Sequence, residues 1–189
     1  MKLIVGLDLD GVTFDFDQGW RKVYDLWFDG QTSLSSSSKW DFHDETHFLT
    51  MVEFYKWAQR ANVFGSLEPL PGALGGIHTW LENGISVLFI TSRPDWAAGA
   101  TSACLARYGL VPDRLGRSGM ELRFEHEKWK AHAGVYVDDS PEVLTQLKAH
   151  GKTAIRFVQP WNKRAPSTVA VQHWKELTDV VLEMAGVVA

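Results

Sequence analysis

Three short apolar runs, Leu3 to Leu9, Ile85 to Ile90 and Val135 to Val137, are rich in Ile, Val and Leu and constrain this chain more than any other feature. Runs of this kind read as strands buried on both faces, the habit of parallel sheets covered by helices. Thr153 to Val158 reads as a further strand and Glu121 to Phe124 as a weaker one. Helical stretches lie between them. The pattern predicts a helix over 70–83 that stops at Gly84, and another over 94–108 with Pro94 in its first turn and Gly109 beyond its end. A third is expected over 141–149, behind Ser140-Pro141. Strands alternating with helices imply right-handed βαβ units, and so an α/β fold with a Rossmann-like doubly wound parallel sheet.

The first crossover is too long for one helix. Thirteen of the 23 aromatic residues fall between Phe14 and Phe64, and helices are expected over about 18–28 and 46–60. We read residues 17–64 as a small, aromatic-rich helical cap inserted after the first strand, with 1–16 and 65–189 forming the core. Ser35 to Ser38 reads as a loop tip within it. Nine Trp in 189 residues is a marked excess that the cap partly houses.

Composition narrows the function classes. A net charge of -4 argues against a protein that grips a nucleic acid polymer, although a small anion in a locally positive pocket remains compatible. Cys104 is the only cysteine, so no internal disulfide forms, and a reducing, cytoplasmic setting is expected. No run of 18 apolar residues exists to span a membrane, and Asp8 arrives too early for a signal peptide.

Polar residues gather where the strands stop: Asp8-Leu9-Asp10-Gly11-Val12, then Thr91-Ser92-Arg93-Pro94, then Asp138-Asp139-Ser140-Pro141. The carboxyl ends of strands form the ligand crevice of open α/β sheets, so four carboxylates and two hydroxyls are expected in one place. Two carboxylates ~4 Å apart repel by about 4 kcal/mol at an effective dielectric of 20. The cluster therefore needs a cation or bound protons. Oxygen ligands without His or Cys favour Mg2+. A metal, a carboxylate nucleophile, hydroxyls and a lysine together suit phosphoryl transfer.

These residues resemble the motifs of the haloacid dehalogenase (HAD) superfamily: Asp8-Leu9-Asp10-Gly11-Val12 the first, Thr91-Ser92 the second, Lys128 the third and Asp138-Asp139 the fourth. Phe64 to Ala73, the spacing of ten from Lys128 to Asp138, and Gln159-Pro160-Trp161-Asn162 resemble the 5'(3')-deoxyribonucleotidases and their bacterial and phage relatives. The resemblance implies that Asp8 is the nucleophile and a Mg2+ ligand. It implies that Asp10 protonates the leaving oxygen, later activates water, and binds the metal through its carbonyl. Thr91 and Ser92 would bind phosphate and Lys128 neutralise it, with Lys130 as its rival. Asp139 is expected as the direct metal ligand, with Asp138 ligating or standing behind it. Arg93 departs from the pattern of the animal enzymes and is read as a phosphate or substrate contact.

Phe14, Phe16, Trp20, Trp40 and Phe64 are candidates for a wall on which a base stacks, set against the plainer role of filling the cap's own core. His43 and His47 among Asp41, Asp44 and Glu45 have metal-like spacing but read as an acidic surface turn. Cys104 reads as packing. The expected activity is hydrolysis of (deoxy)ribonucleoside monophosphates by a monomer or homodimer. A HAD phosphatase for a sugar phosphate is the alternative, and a non-catalytic nucleotide-binding module a third.

Overall fold

In the computed structural model, which describes residues 2–29, 46–113 and 117–187, the apolar runs become β1 (Ile4–Leu7), β2 (Ser86–Thr91), β3 (Met120–Phe124), β4 (Val135–Asp138) and β5 (Ala154–Phe157). A sixth strand, β6 (Val169–Val171), completes the sheet. Every neighbouring pair is parallel, in the order β3-β2-β1-β4-β5-β6. The strand order reverses between β1 and β4, and the crevice of a doubly wound sheet opens at such a switch point.

Alternation along the strands explains the unbroken apolar runs. Val87 and Phe89 enter one buried cluster with Val135, Val137, Ile155 and Phe157. Leu88 and Ile90 enter a second with Tyr136, Leu144 and Leu147 on the opposite face. A strand covered on both sides has no solvent face to be polar.

The helices are α1 (Phe16–Trp27), α2 (Met51–Arg60), α3 (Val63–Ser66), α4 (Ala73–Glu82), α5 (Ala98–Arg107), α6 (Pro141–Ala149) and α7 (Trp174–Met184). The first three occupy the long crossover. Asp15 caps α1 by accepting from the Gln18 N–H at 3.0 Å. On α1, Trp20 and Tyr24 fall four residues apart and face inward, where they meet Phe54 and Trp57 of α2 edge-on at 5.5–5.8 Å. These rings belong to the same buried cluster as the β1 side of the sheet.

Three expected helix starts move: α2, expected from about 46, begins at Met51, where Thr50 caps it by accepting from the Glu53 N–H at 3.3 Å. The chain from Leu70 to Ala73 forms a turn, with Gly72 at φ +86, so α4 begins at Ala73 rather than 70. Pro94 is extended (φ -60, ψ 149) and precedes a short 3-10 turn, Asp95–Ala97, so α5 begins at Ala98. The sequence reading did not register β6 or α7. Three residues are too few for a strand signal, but α7 carries one: His173 accepts from the Glu176 N–H at 3.2 Å and Glu176 returns a bond to the Gln172 N–H at 2.8 Å. The α7 helix lies tightly on α4, where a Cβ at Gly76 would come within 2.5 Å of Thr178 Oγ1 and 2.7 Å of the Trp174 ring.

Candidate active site

Asp8 is the first residue past β1 and Asp138 the last of β4, and the adjacency of these two strands brings their carboxylates together. The Lys128 ammonium, on a short 3-10 turn between β3 and β4, lies between them. It donates to Asp8 Oδ1 at 2.6 Å and to Asp138 Oδ2 at 2.7 Å, with all three side chains buried. Lys130 instead stands half-exposed and pairs with Glu127 on the surface. Asp138 Oδ1 accepts from the Ser140 N–H at 2.9 Å, which uses its second oxygen. Asp139 is 1% exposed; its Oδ2 accepts from Trp161 Nε1 at 3.2 Å, while its Oδ1 has no hydrogen-bond partner.

The loop after β1 is built to come close. Gly11 has φ +76, and a Cβ there would sit 2.1 Å from Asp139 Oδ2, so only glycine serves. Three side chains hold this loop's carbonyls: Thr13 Oγ1 donates to Asp8 O at 2.6 Å, Gln159 Nε2 to Gly11 O at 2.7 Å, and Trp174 Nε1 to Val12 O at 2.7 Å. Asn162 Nδ2 adds bonds to the carbonyls of Asp139 and Phe157, both at 2.8 Å. The Gln159-Pro160-Trp161-Asn162 stretch thus straps the two strand ends together. The sequence reading noticed the stretch but gave it no role.

Electrostatics follow from burial. Desolvation pushes the Asp8 carboxyl up; Lys128 opposes that rise, and Asp138 and Asp10 add to it, leaving a pKa of about 7. Asp139 is raised well above the ordinary carboxylate range by burial and then by Asp8 and Asp138. Burial pulls Lys128 down, but Asp138 and Asp8 more than offset it, so the ammonium stays charged. Asp8, Asp138 and Asp139 offer ligand oxygens within 4.8 Å of one another. Three acidic groups around one lysine, all-oxygen donors and an orphaned Asp139 oxygen fit a hard divalent cation such as Mg2+.

Above this floor lies a cavity of about 400 Å³. Phe16, Trp20, Met51, Tyr55 and Phe64, all from α1–α3, form its apolar side. Thr91, Ser92 and Arg93 line it at the end of β2. Thr91 Oγ1 accepts from the Arg93 N–H at 3.2 Å, which leaves its own O–H to donate, and Ser92 is exposed. The Arg93 side chain is occupied differently from the expectation: Nε and Nη2 donate to the two oxygens of Asp10 at 2.8 and 2.6 Å. Among the other aromatic candidates, Phe14 packs against Tyr108 and does not line the cavity. Trp20 borders the cavity while being fully buried in the aromatic cluster. Trp40 and His43 lie outside the described residues, and His47 hydrogen-bonds to the Tyr24 hydroxyl. Cys104 is buried. Tyr55 and Met51 were not singled out from sequence; their helical spacing looks the same as that of core residues.

A 3-2-1-4-5-6 parallel sheet with acids at the ends of β1 and β4 and a lysine between them defines a HAD-type α/β fold. Solved structures agree. A phosphatase of Clostridium acetobutylicum, so assigned by prediction, superposes with a TM-score of 0.66 at 16% identity, covering 97% of this chain and 99% of that one. The provisionally assigned HAD hydrolase YfnB of Bacillus subtilis, crystallised with magnesium, gives 0.63 at 11% identity, covering 95% and 98%. The profile of the family described as 5' nucleotidase, deoxy (Pyrimidine), cytosolic type C (NT5C) matches residues 2–187, and the chain belongs to that family. It is 25% identical over 185 residues to a Chlorobaculum tepidum protein provisionally named 5'(3')-deoxyribonucleotidase, covering 95% of this chain and 90% of that one. Among the described residues, no helix is long and apolar enough to cross a membrane.

Proposed function

We propose that this nucleotidase-family chain is a Mg2+-dependent phosphomonoesterase that hydrolyses (deoxy)ribonucleoside monophosphates through an aspartyl phosphate on Asp8. The observation that carries the reading is the Asp8–Lys128–Asp138 contact at the floor of a cavity walled by aromatic side chains. Asp8, Asp139 and the Asp10 carbonyl would hold the metal. Asp138, with both oxygens already engaged, stands behind them. Bound Mg2+ would neutralise phosphoryl oxygens that the acidic floor otherwise repels.

The residues' own chemistry then follows. A carboxylate oxygen of Asp8 forms a bond to phosphorus as the ester P–O bond breaks, and the Asp10 proton passes to the departing nucleoside oxygen. Water next attacks phosphorus, gives its proton to Asp10, and the P–O bond to Asp8 breaks to release phosphate. Lys128, the Thr91 hydroxyl and Ser92 hold the phosphoryl oxygens. Residues 17–64 act as the cap that supplies the wall for the base and keeps bulk water from the acyl phosphate.

A panel of dUMP, dTMP, ribonucleotides, sugar phosphates and p-nitrophenyl phosphate, with and without Mg2+, tests the reading. Nucleotides should turn over fastest and only with the metal. Preference for sugar phosphates would replace the substrate class, and nucleotide binding without turnover would replace the activity.

A further inference from the structure

Arg93 sits at the second strand end, where a phosphate ligand is expected, yet each of its three guanidinium nitrogens already has a partner. Two nitrogens grip both oxygens of Asp10. The third, Nη1, donates to Thr101 Oγ1 of α5 at 2.9 Å. The plane lies over the Phe64 ring, with Cζ 4.7 Å from its centroid. The Arg93 side chain is 1% exposed and that of Asp10 25%. To swing towards a phosphate, Arg93 would have to release a part-buried carboxylate and a fully buried hydroxyl together.

We propose that Arg93 is a positioning residue that acts through Asp10, rather than a phosphate ligand. Resting on the reading above, the inference assigns the alignment of the acid–base carboxyl to this one side chain. Asp10 stands on a loop beyond β1, where nothing in the sheet fixes its side-chain angle. A two-toothed guanidinium fixes both oxygens in one plane, which a lysine at the same place cannot do. Thr101 and Phe64 in turn fix the guanidinium. The α3 helix, in the segment read as cap, thereby bears on the group that must meet the leaving oxygen.

The test is a double-mutant cycle with Arg93→Met, Arg93→Lys and Asp10→Asn, read on dUMP and on p-nitrophenyl phosphate with Mg2+ present. Arg93→Met should lower kcat on dUMP about 100-fold. KM and inhibition by inorganic phosphate should stay within about twofold. Single-turnover release of p-nitrophenolate, which leaves without a proton, should fall far less than release of the nucleoside. Arg93→Lys should recover little. In the Asp10→Asn background, Arg93→Met should have no further effect.

Phosphate inhibition weakened tenfold, or an undiminished loss in the Asp10→Asn background, would overturn the inference and make Arg93 a ligand of phosphate. Asp10→Asn turning over like the parent would instead remove the acid–base role of Asp10, and the inference with it. Should Arg93→Met not fold, Thr101→Val loosens only one anchor and should show the same kcat-selective pattern; a KM-selective pattern overturns the inference.

Discussion

Lys128 serves two buried carboxylates at once, and each carboxylate is held by the ammonium against repulsion from the other. Lys128→Met therefore strands Asp8 and Asp138, which should cost about 3–5 kcal/mol of stability in the metal-free protein. Differential scanning calorimetry in EDTA checks this. Asp8→Asn behaves in the opposite way: the amide oxygen still accepts from Lys128 and a buried charge is gone. Phosphate release should end while thermal stability without metal holds or rises; residual turnover above background would count against Asp8 as the nucleophile. Tyr55 stands on the cavity's apolar side, where the proposed base would stack. Tyr55→Ala should raise KM for dUMP by the worth of one stacked base, about 1–3 kcal/mol, and leave that for p-nitrophenyl phosphate nearly unchanged.

The three strand-end motifs were legible at this scale because each is a short run of chemistry-bearing residues beside an apolar run, whereas Lys128, in a charged stretch, stood out only through the family resemblance. Which rings face the cavity was not. Phe14 and Phe16 are two residues apart in sequence, yet one packs on Tyr108 and the other lines the pocket, because the chain between them is a turn into α1 rather than a strand or a helix. Arg93 was legible as important but not in its partner, since Asp10 lies 83 positions away.

At the scale of elements, α7 does more than cover the sheet. Its Trp174 packs on Trp80 of α4 at 5.3 Å and also donates to Val12 O in the loop that carries the acids. Trp174→Phe keeps most of the packing and leaves that carbonyl buried without its donor, a loss of about 1–3 kcal/mol. Gly76→Ala forces α4 and α7 apart, as its Cβ would meet Thr178 Oγ1 at 2.5 Å, and should cost about 1–3 kcal/mol. Urea melts measure both, and only the first should also lower kcat. The sheet order was implied by strand–helix alternation, whereas β6 escaped notice because Val169–Val171 is shorter than any useful periodicity window.

For the whole molecule, the acids of the floor tie stability to pH and to metal. In the metal-free protein Asp8 titrates near 7 when folded and near the ordinary 3.8 when unfolded, chiefly through burial. The folded state thus holds protons that the unfolded state releases. The stability this provides is complete below about pH 4 and is lost as pH rises through 7. In EDTA, Tm should fall between pH 5 and 8. Mg2+ competes with those protons, so its stabilisation should be larger at pH 8 than at pH 5. At 100 times its Kd it adds about 2.7 kcal/mol, or about 5–10 °C for a domain of this size. A Tm in EDTA that rises over this range would contradict the assignment of raised acids to the floor.

Two of the donors that secure the loop after β1, Gln159 and Trp174, are separated from Gly11 and Val12 by 148 and 162 positions. Synthesis runs from the N-terminus, so Asp8 emerges from the ribosome well before the donors that clamp its loop. A nascent chain can lay down β1 to β4 with its acids in place and still lack both the strap and α7. The order of translation itself then withholds the clamped loop until α7 has been made.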